Sequence, residues 1–341
     1  MKRRLIGELI SLGAVLAALQ GLLGPLAGYK DTPTPVRLCD QYIAEGRDIV
    51  YLGESTLYTV DPTERDQSAI NEMLEGLLPE YRIGCIAHDA YHLELYEAFC
   101  TYMAGKEQPP RLVVIPVNLG TISPFWDKRP AYQFERLKLF LRHDSKVFRA
   151  FYRPLAAFGV FDLNPISERE YEQVTVLDGD VPVGTLGEFE DESYRTITEE
   201  HMRGQLVLRY MYRIPQDNAK IQALDGIAKV LSQAGVQMVF YLTPIDRETG
   251  DRYLGKRFST SIREDAALVS EVLGNAGEEV LDMSLELGAE YFHWGSLYPN
   301  EHLNQRGRMY VAEQLAEAIR TKLGDGKKAG RDRDEGTEHA R

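Results

Sequence analysis

Cysteine is scarce. The 341 residues hold three, Cys39, Cys85 and Cys100. An odd count excludes a framework that pairs every cysteine within one chain, although one pair is allowed outside the cytoplasm. No C-x-x-C and no zinc spacing occurs, so buried thiols are the expected state. Basic charge is also short, with 39 Lys and Arg against 52 Asp and Glu and a net charge of −13. That balance argues against a nucleic-acid partner, because phosphate binding needs a basic surface. No internal repeat with a period of roughly 20–50 residues is visible. No A-x-A site and no lipobox cysteine follows the apolar N-terminus.

The bulk composition is that of a folded globular chain, 44% apolar and 27% charged. Its length suffices to bury a substantial core. At the N-terminus, Lys2, Arg3 and Arg4 precede an apolar stretch, Leu5 to Tyr29, that is free of charge from Leu9 onward. About 20 such residues span a bilayer as a helix. The expected reading is an uncleaved single-pass anchor over residues 1–29, with the bulk of the chain outside, since positive residues stay inside. A cleaved signal peptide is the alternative. Residues 30–44 form a connector, and the charged tail 324–341 is expected to be disordered.

Between these ends, strand and helix signals alternate. Strands are predicted at 48–52, 81–86, 111–117, 236–243 and 279–282. Helices are predicted at 69–78, 91–103, 218–234, 262–274 and 308–323, with a long helical region over 133–158. The acidic, Gly-containing stretch 163–196 reads as an insertion or cap loop. Arg111-Leu-Val-Val-Ile-Pro-Val117 is continuous and β-branched, as expected of a strand covered on both faces. The alternation predicts an α/β fold with a mainly parallel sheet. Sites in such sheets lie at the carboxyl ends of the strands. Ser55, Asn118 and Pro244 each fall just past a strand.

Three residues carry candidate chemistry. Ser55, in Gly53-Glu54-Ser55-Thr56, sits where a strand-to-helix turn would expose a nucleophilic hydroxyl and offer backbone N–H groups to an oxyanion. The same residues also suit a plain helix N-cap. Asn118 could donate to an oxyanion, or simply form an Asn-Leu-Gly turn. His302, just ahead of the last predicted helix, could serve as a general base or be a surface loop histidine. His88 and His92 have i, i+4 spacing that can hold a metal on a helix. No glutamate follows His88 and no third ligand is apparent, so neither metal nor cofactor is expected. The aromatic loops Phe125-Trp126 and Phe292-His293-Trp294 could stack on sugar rings or plug the core.

In order along the chain, these motifs resemble those of SGNH/GDSL hydrolases. Gly53-Glu54-Ser55 is similar to the nucleophile block, with Glu54 where Asp is usual. Val114-Ile-Pro-Val-Asn118 is similar to the strand bearing the oxyanion asparagine. His302-Leu-Asn-Gln-Arg-Gly307 is similar to the final block. Tyr241-Leu-Thr-Pro-Ile245 resembles the membrane-anchored branch, which includes proteins of teichoic-acid D-alanylation and exopolysaccharide O-acetylation. The resemblance covers about residues 45–323. It implies a three-layer α/β/α flavodoxin-like fold and acyl-ester chemistry. Ser55 would be the nucleophile and His302 the base. Asn118, Ser55 N–H and Ala90 would form the oxyanion hole, Ala90 standing where the family has glycine. The family's acid falls at Pro299 here, which leaves Glu301 or Asp282 as the candidate acid.

The implied function is an anchored, extracytoplasmic esterase or O-acyltransferase acting on an envelope carbohydrate or small acyl ester. The alternative is an inactive binding or assembly protein partnering an integral-membrane acyltransferase.

Overall fold

A computed structural model of the chain describes residues 2–26, 32–127, 130–142, 199–215, 217–293 and 301–335. The expected insertion 163–196, Trp294 and Pro299 lie outside them. Five strands form one sheet: β1 (Ile49–Gly53), β2 (Ile83–Ala87), β3 (Leu112–Val117), β4 (Gln237–Leu242) and β5 (Val280–Asp282). Their order is β2-β1-β3-β4-β5 and every pair is parallel. This is the order of the flavodoxin-like doubly wound sheet, whose topological switch lies between β1 and β3.

Side-chain alternation builds two cores. Ile49, Tyr51, Leu112, Val114, Val239 and Tyr241 face one way and pack with the helices Ile70–Leu77 and Gln305–Glu335. Val50, Leu52, Val113, Ile115, Val117, Phe240 and Leu242 face the other way, toward Leu93–Ala104, Ala219–Gln233 and Arg257–Asn275. The three-layer α/β/α expectation is met. β1 and β3 are buried along their whole length, which is why both read as continuous apolar runs rather than alternating ones.

Several boundaries differ from the sequence reading, each for a local reason. The helix expected from Tyr91 starts at Leu93, because Ala90 takes a left-handed φ of 59° and turns the chain ahead of it. Within the long helical region expected over 133–158, the described part is a short 3₁₀ turn, Pro130–Gln133, followed by the helix Glu135–Arg142. The helices Thr34–Ala44, Glu199–Tyr210 and Arg247–Leu254 are additional, the first within the expected connector 30–44, where Val36 and Cys39 are buried in the core. The last helix runs Gln305–Glu335 and takes in part of the tail expected to be disordered.

The N-terminal helix covers Lys2–Leu26. Among the described residues no helix is long and apolar enough to cross a membrane. Ile6, Leu9, Ile10, Leu12, Val15 and Leu22 on that helix are nevertheless all exposed. All three cysteines are free thiols, with Cys39 and Cys100 buried.

Candidate active site

The site opens at the switch point. β1 and β3 run side by side and end in separate turns, one carrying Glu54 and Ser55, the other Asn118. Gly53 permits the first turn. A Cβ there would stand 2.5 Å from Leu57 Cδ1 and 3.2 Å from the Ala87 Cβ on β2. Ser55 is the first residue of the helix Ser55–Tyr58, but it does not cap it. Glu54 does, accepting the Thr56 backbone N–H at 3.0 Å. The Ser55 hydroxyl is thus not spent on capping and lies between Glu54 Oε2 at 3.1 Å and His302.

His302 arrives from the opposite end of the chain. Its loop is held by an antiparallel bridge between Phe292 and Leu303, and its own carbonyl accepts His293 N–H at 2.9 Å. Asn304 then caps the last helix, its Oδ1 accepting Arg306 N–H at 3.0 Å and Gly307 N–H at 3.2 Å. A side chain at Gly307 would stand 2.5 Å from the Tyr291 carbonyl oxygen, so this glycine lets the helix start against the loop. The outcome is His302 Nε2 lying 3.3 Å from Ser55 Oγ. That is slightly beyond an ideal O–H···N distance and within the looseness of a resting site. The two expected catalytic residues, 247 positions apart, are neighbours.

Asn118 reaches the site in another role. Expected as an oxyanion donor, it gives its amide N–H groups to Glu54 Oε1 at 3.2 Å and Glu301 Oε2 at 3.4 Å. Its Oδ1 accepts Gly120 N–H at 2.8 Å. In this structure the amide bridges two buried glutamates.

Neither acid candidate takes the place of a triad aspartate. Asp282 ends β5 and accepts from Ser284, N–H at 2.9 Å and hydroxyl at 2.6 Å, so local turn geometry claims its carboxylate. Glu301 adjoins His302 but is turned inward. Its Oε1 takes Arg209 at 2.5 Å, and its Oε2 takes the Tyr210 hydroxyl at 3.3 Å besides Asn118. Glu301 influences the imidazole through its charge.

Three titrations follow from this packing. Burial pushes the Glu301 carboxyl up, but the charges of Arg209 and His302 and hydrogen bonds from Arg209 and Asn118 outweigh it and hold it below the usual range. Among the described residues Glu54 has no cation of its own. Burial, then the charge of Glu301, raises it to about 7, against the hydrogen bonds from Thr56 and Asn118. Burial lowers His302, with Arg209 and His293 adding and Glu301 and Asp89 opposing. The imidazole is therefore neutral at neutral pH and able to take a proton.

Ala90 occupies the turn after β2. Its positive φ of 59° is the conformation glycine adopts freely, so alanine at this position tolerates the strain. The turn is tied to the helix Ser55–Tyr58 by the Tyr58 hydroxyl donating to Asp89, and to the end of β1 by His88 N–H donating to the Gly53 carbonyl at 3.4 Å. His88 and His92 do not share a helix. His88 stacks on Tyr91, and His92 is the buried residue preceding Leu93–Ala104. Phe125 is core, while Trp126 lies under the Arg209 guanidinium at 5.3 Å.

Arg209 and Tyr210 are absent from the sequence reading. A signal for Arg209 does exist. It is a lone charge within the apolar run Leu206-Val-Leu-Arg-Tyr-Met-Tyr212, and such a residue is almost never fully buried unless paired. Arg209 is 1% exposed.

Fold and site together define a three-layer α/β protein with a Ser–His pair at its switch point. No family model matches the chain, and no curated protein matches it. Two solved structures that resemble it are catalytic mutants of Axe2, an acetylxylan esterase from Geobacillus stearothermophilus. Each is 11% identical over 82% of this chain and 94% of that chain, with TM-scores of 0.38 and 0.36. The functional reading rests on this chain's own residues.

Proposed function

We propose that this chain is an SGNH/GDSL-like serine esterase or O-acyltransferase. One observation carries the reading: an imidazole nitrogen 3.3 Å from the hydroxyl of a serine that opens a helix at the switch point of a parallel sheet. His302 Nε2 would take the Ser55 proton as Oγ attacks an ester carbonyl. The tetrahedral oxyanion would collapse with loss of the alcohol, which takes the proton back from His302. The resulting acyl-serine would then pass to water or to a carbohydrate hydroxyl. Ser55 N–H and Ala90 N–H are the proposed oxyanion donors. The substrate class is an envelope carbohydrate or a small acyl ester.

The basic Lys2-Arg3-Arg4 cluster and the exposed apolar side chains behind it support an extracytoplasmic position with residues 1–29 in the membrane. The full chain should sediment with membranes and resist carbonate washing, and a chain beginning at residue 30 should be released. Recovery of the full chain in the wash would remove the anchor from the proposal.

A second reading has one observation in its favour. Asn118 is committed to two carboxylates, as suits an inactive binding or assembly protein that partners a membrane acyltransferase. A fluorophosphonate probe separates the two readings. The esterase reading expects covalent labelling of the wild type and none of Ser55→Ala. Equal labelling of both, or of neither, favours the binding protein.

A further inference from the structure

Ser55 has two acceptors within reach. Its hydroxyl donates to Glu54 Oε2 at 3.1 Å, and His302 Nε2 lies at 3.3 Å on the other side. One hydrogen cannot serve both. General-base catalysis needs it on the line to Nε2. Glu54 is an unusual neighbour for a nucleophile because it is 2% exposed and gathers donors from three directions. Beyond Ser55 these are Thr56 N–H and hydroxyl, and the Asn118 amide.

We propose that Glu54 sets the direction of the Ser55 hydroxyl: as a carboxylate it captures the hydrogen, and as a carboxylic acid it releases it to His302. This rests on Ser55 being the nucleophile. The physical reason is the strength of the competing bond. A hydrogen bond to an ionised acceptor is roughly twice as strong as one between neutral groups. The charged carboxylate therefore wins over the neutral imidazole, and protonation cancels its advantage. No bond is broken in the switch. One proton moves between solvent and Glu54, and the hydroxyl rotates.

The surroundings keep that proton within reach of ordinary pH. Glu301 faces Glu54 across Asn118, with Arg209 behind it. Tyr58, Tyr96, Tyr210 and Tyr241 also face it, from its own short helix, the helix Leu93–Ala104, the helix Glu199–Tyr210 and β4. Burial raises all four phenols, so they stay neutral and the facing charge is that of Glu301. Glu54, raised to about 7, then loses its proton just where His302, lowered below its usual value, has long been neutral. The active form holds Glu54 protonated and His302 unprotonated, a window closed at its alkaline end by Glu54.

The rate of fluorophosphonate labelling of the full chain, followed from about pH 5 to about pH 9.5, tests this. Wild type should show a falling limb centred near 7. Glu54→Gln, a permanent mimic of the neutral carboxyl, should lose that limb. At pH near 8.5 it should label about tenfold or more faster than wild type. The inference is overturned by a Glu54→Gln profile that retains the alkaline limb. It is also overturned by a uniform loss of about a hundredfold in a variant whose melting temperature is unchanged, which would make Glu54 a required base. A wild-type profile flat between about pH 6 and 8 overturns it without any variant. Equal labelling of Ser55→Ala signals a different failure, that of the esterase reading itself.

Discussion

Replacing His302 with alanine is expected to lower acyl-ester turnover by about a thousandfold or more, and Ser55→Ala by a similar factor. The double variant should be no worse than either single one. Residues that act as a unit are strongly non-additive, because a hydroxyl without its base and a base without its hydroxyl are equally idle. The geometry demands this outcome. The imidazole is 5% exposed, its loop is pinned by the Phe292–Leu303 bridge, and its Nε2 is directed at Ser55 Oγ. Steady-state kinetics with a p-nitrophenyl ester would check it. Retention of more than about a tenth of the activity in His302→Ala would show that another group takes the proton.

The second large effect concerns stability. Arg209→Met should cost about 3–5 kcal/mol, because it leaves the buried Glu301 carboxylate without its cation. For a chain of this size that corresponds to a fall of roughly 4–9 °C in melting temperature. Adding Glu301→Gln should restore a large part of the loss. The amide can still accept from Tyr210 and Asn118, and neither charge of the pair then remains buried. The pH dependence has a definite sign. Glu301 is held below the usual carboxylate range in the folded state. Its contribution is therefore present above the ordinary carboxyl value of 4.5 and fades as pH falls through the lower folded value. Arg209→Met should abolish that part of the acid dependence. Thermal unfolding of the wild type and both variants across this range would check it. Equal stability of wild type and Arg209→Met would remove the ion pair from any structural role.

The scaffold was open to reading where burial on both faces left a simple mark. The apolar run 111–117 could only be an interior strand, and it holds the middle of the sheet. Ser55 and His302 stood out because a hydroxyl directly followed an apolar strand run and an imidazole directly preceded the last helical stretch. The role of Asn118 was not legible. It depends on two glutamates, of which one lies 64 and the other 183 residues away. Arg209 escaped for the same reason, its partner being 92 positions distant. The helix Arg247–Leu254 escaped for a different one. Arg-Glu-Thr-Gly-Asp-Arg-Tyr-Leu has little apolar periodicity, and the helix begins from the Asp246 cap, whose carboxylate accepts Thr249 N–H at 3.0 Å. The left-handed Ala90 gave no compositional warning, since that backbone region belongs by habit to glycine.

The spacing of Ser55 and His302 also bears on biosynthesis. A polypeptide emerging from the ribosome presents its hydroxyl early and its imidazole 247 residues later. Until then Arg209 lacks the Glu301 carboxylate with which it is paired in the folded protein. Prematurely terminated products would therefore lack the Ser–His pair, which forms only in a single late event, when the C-terminal helix docks.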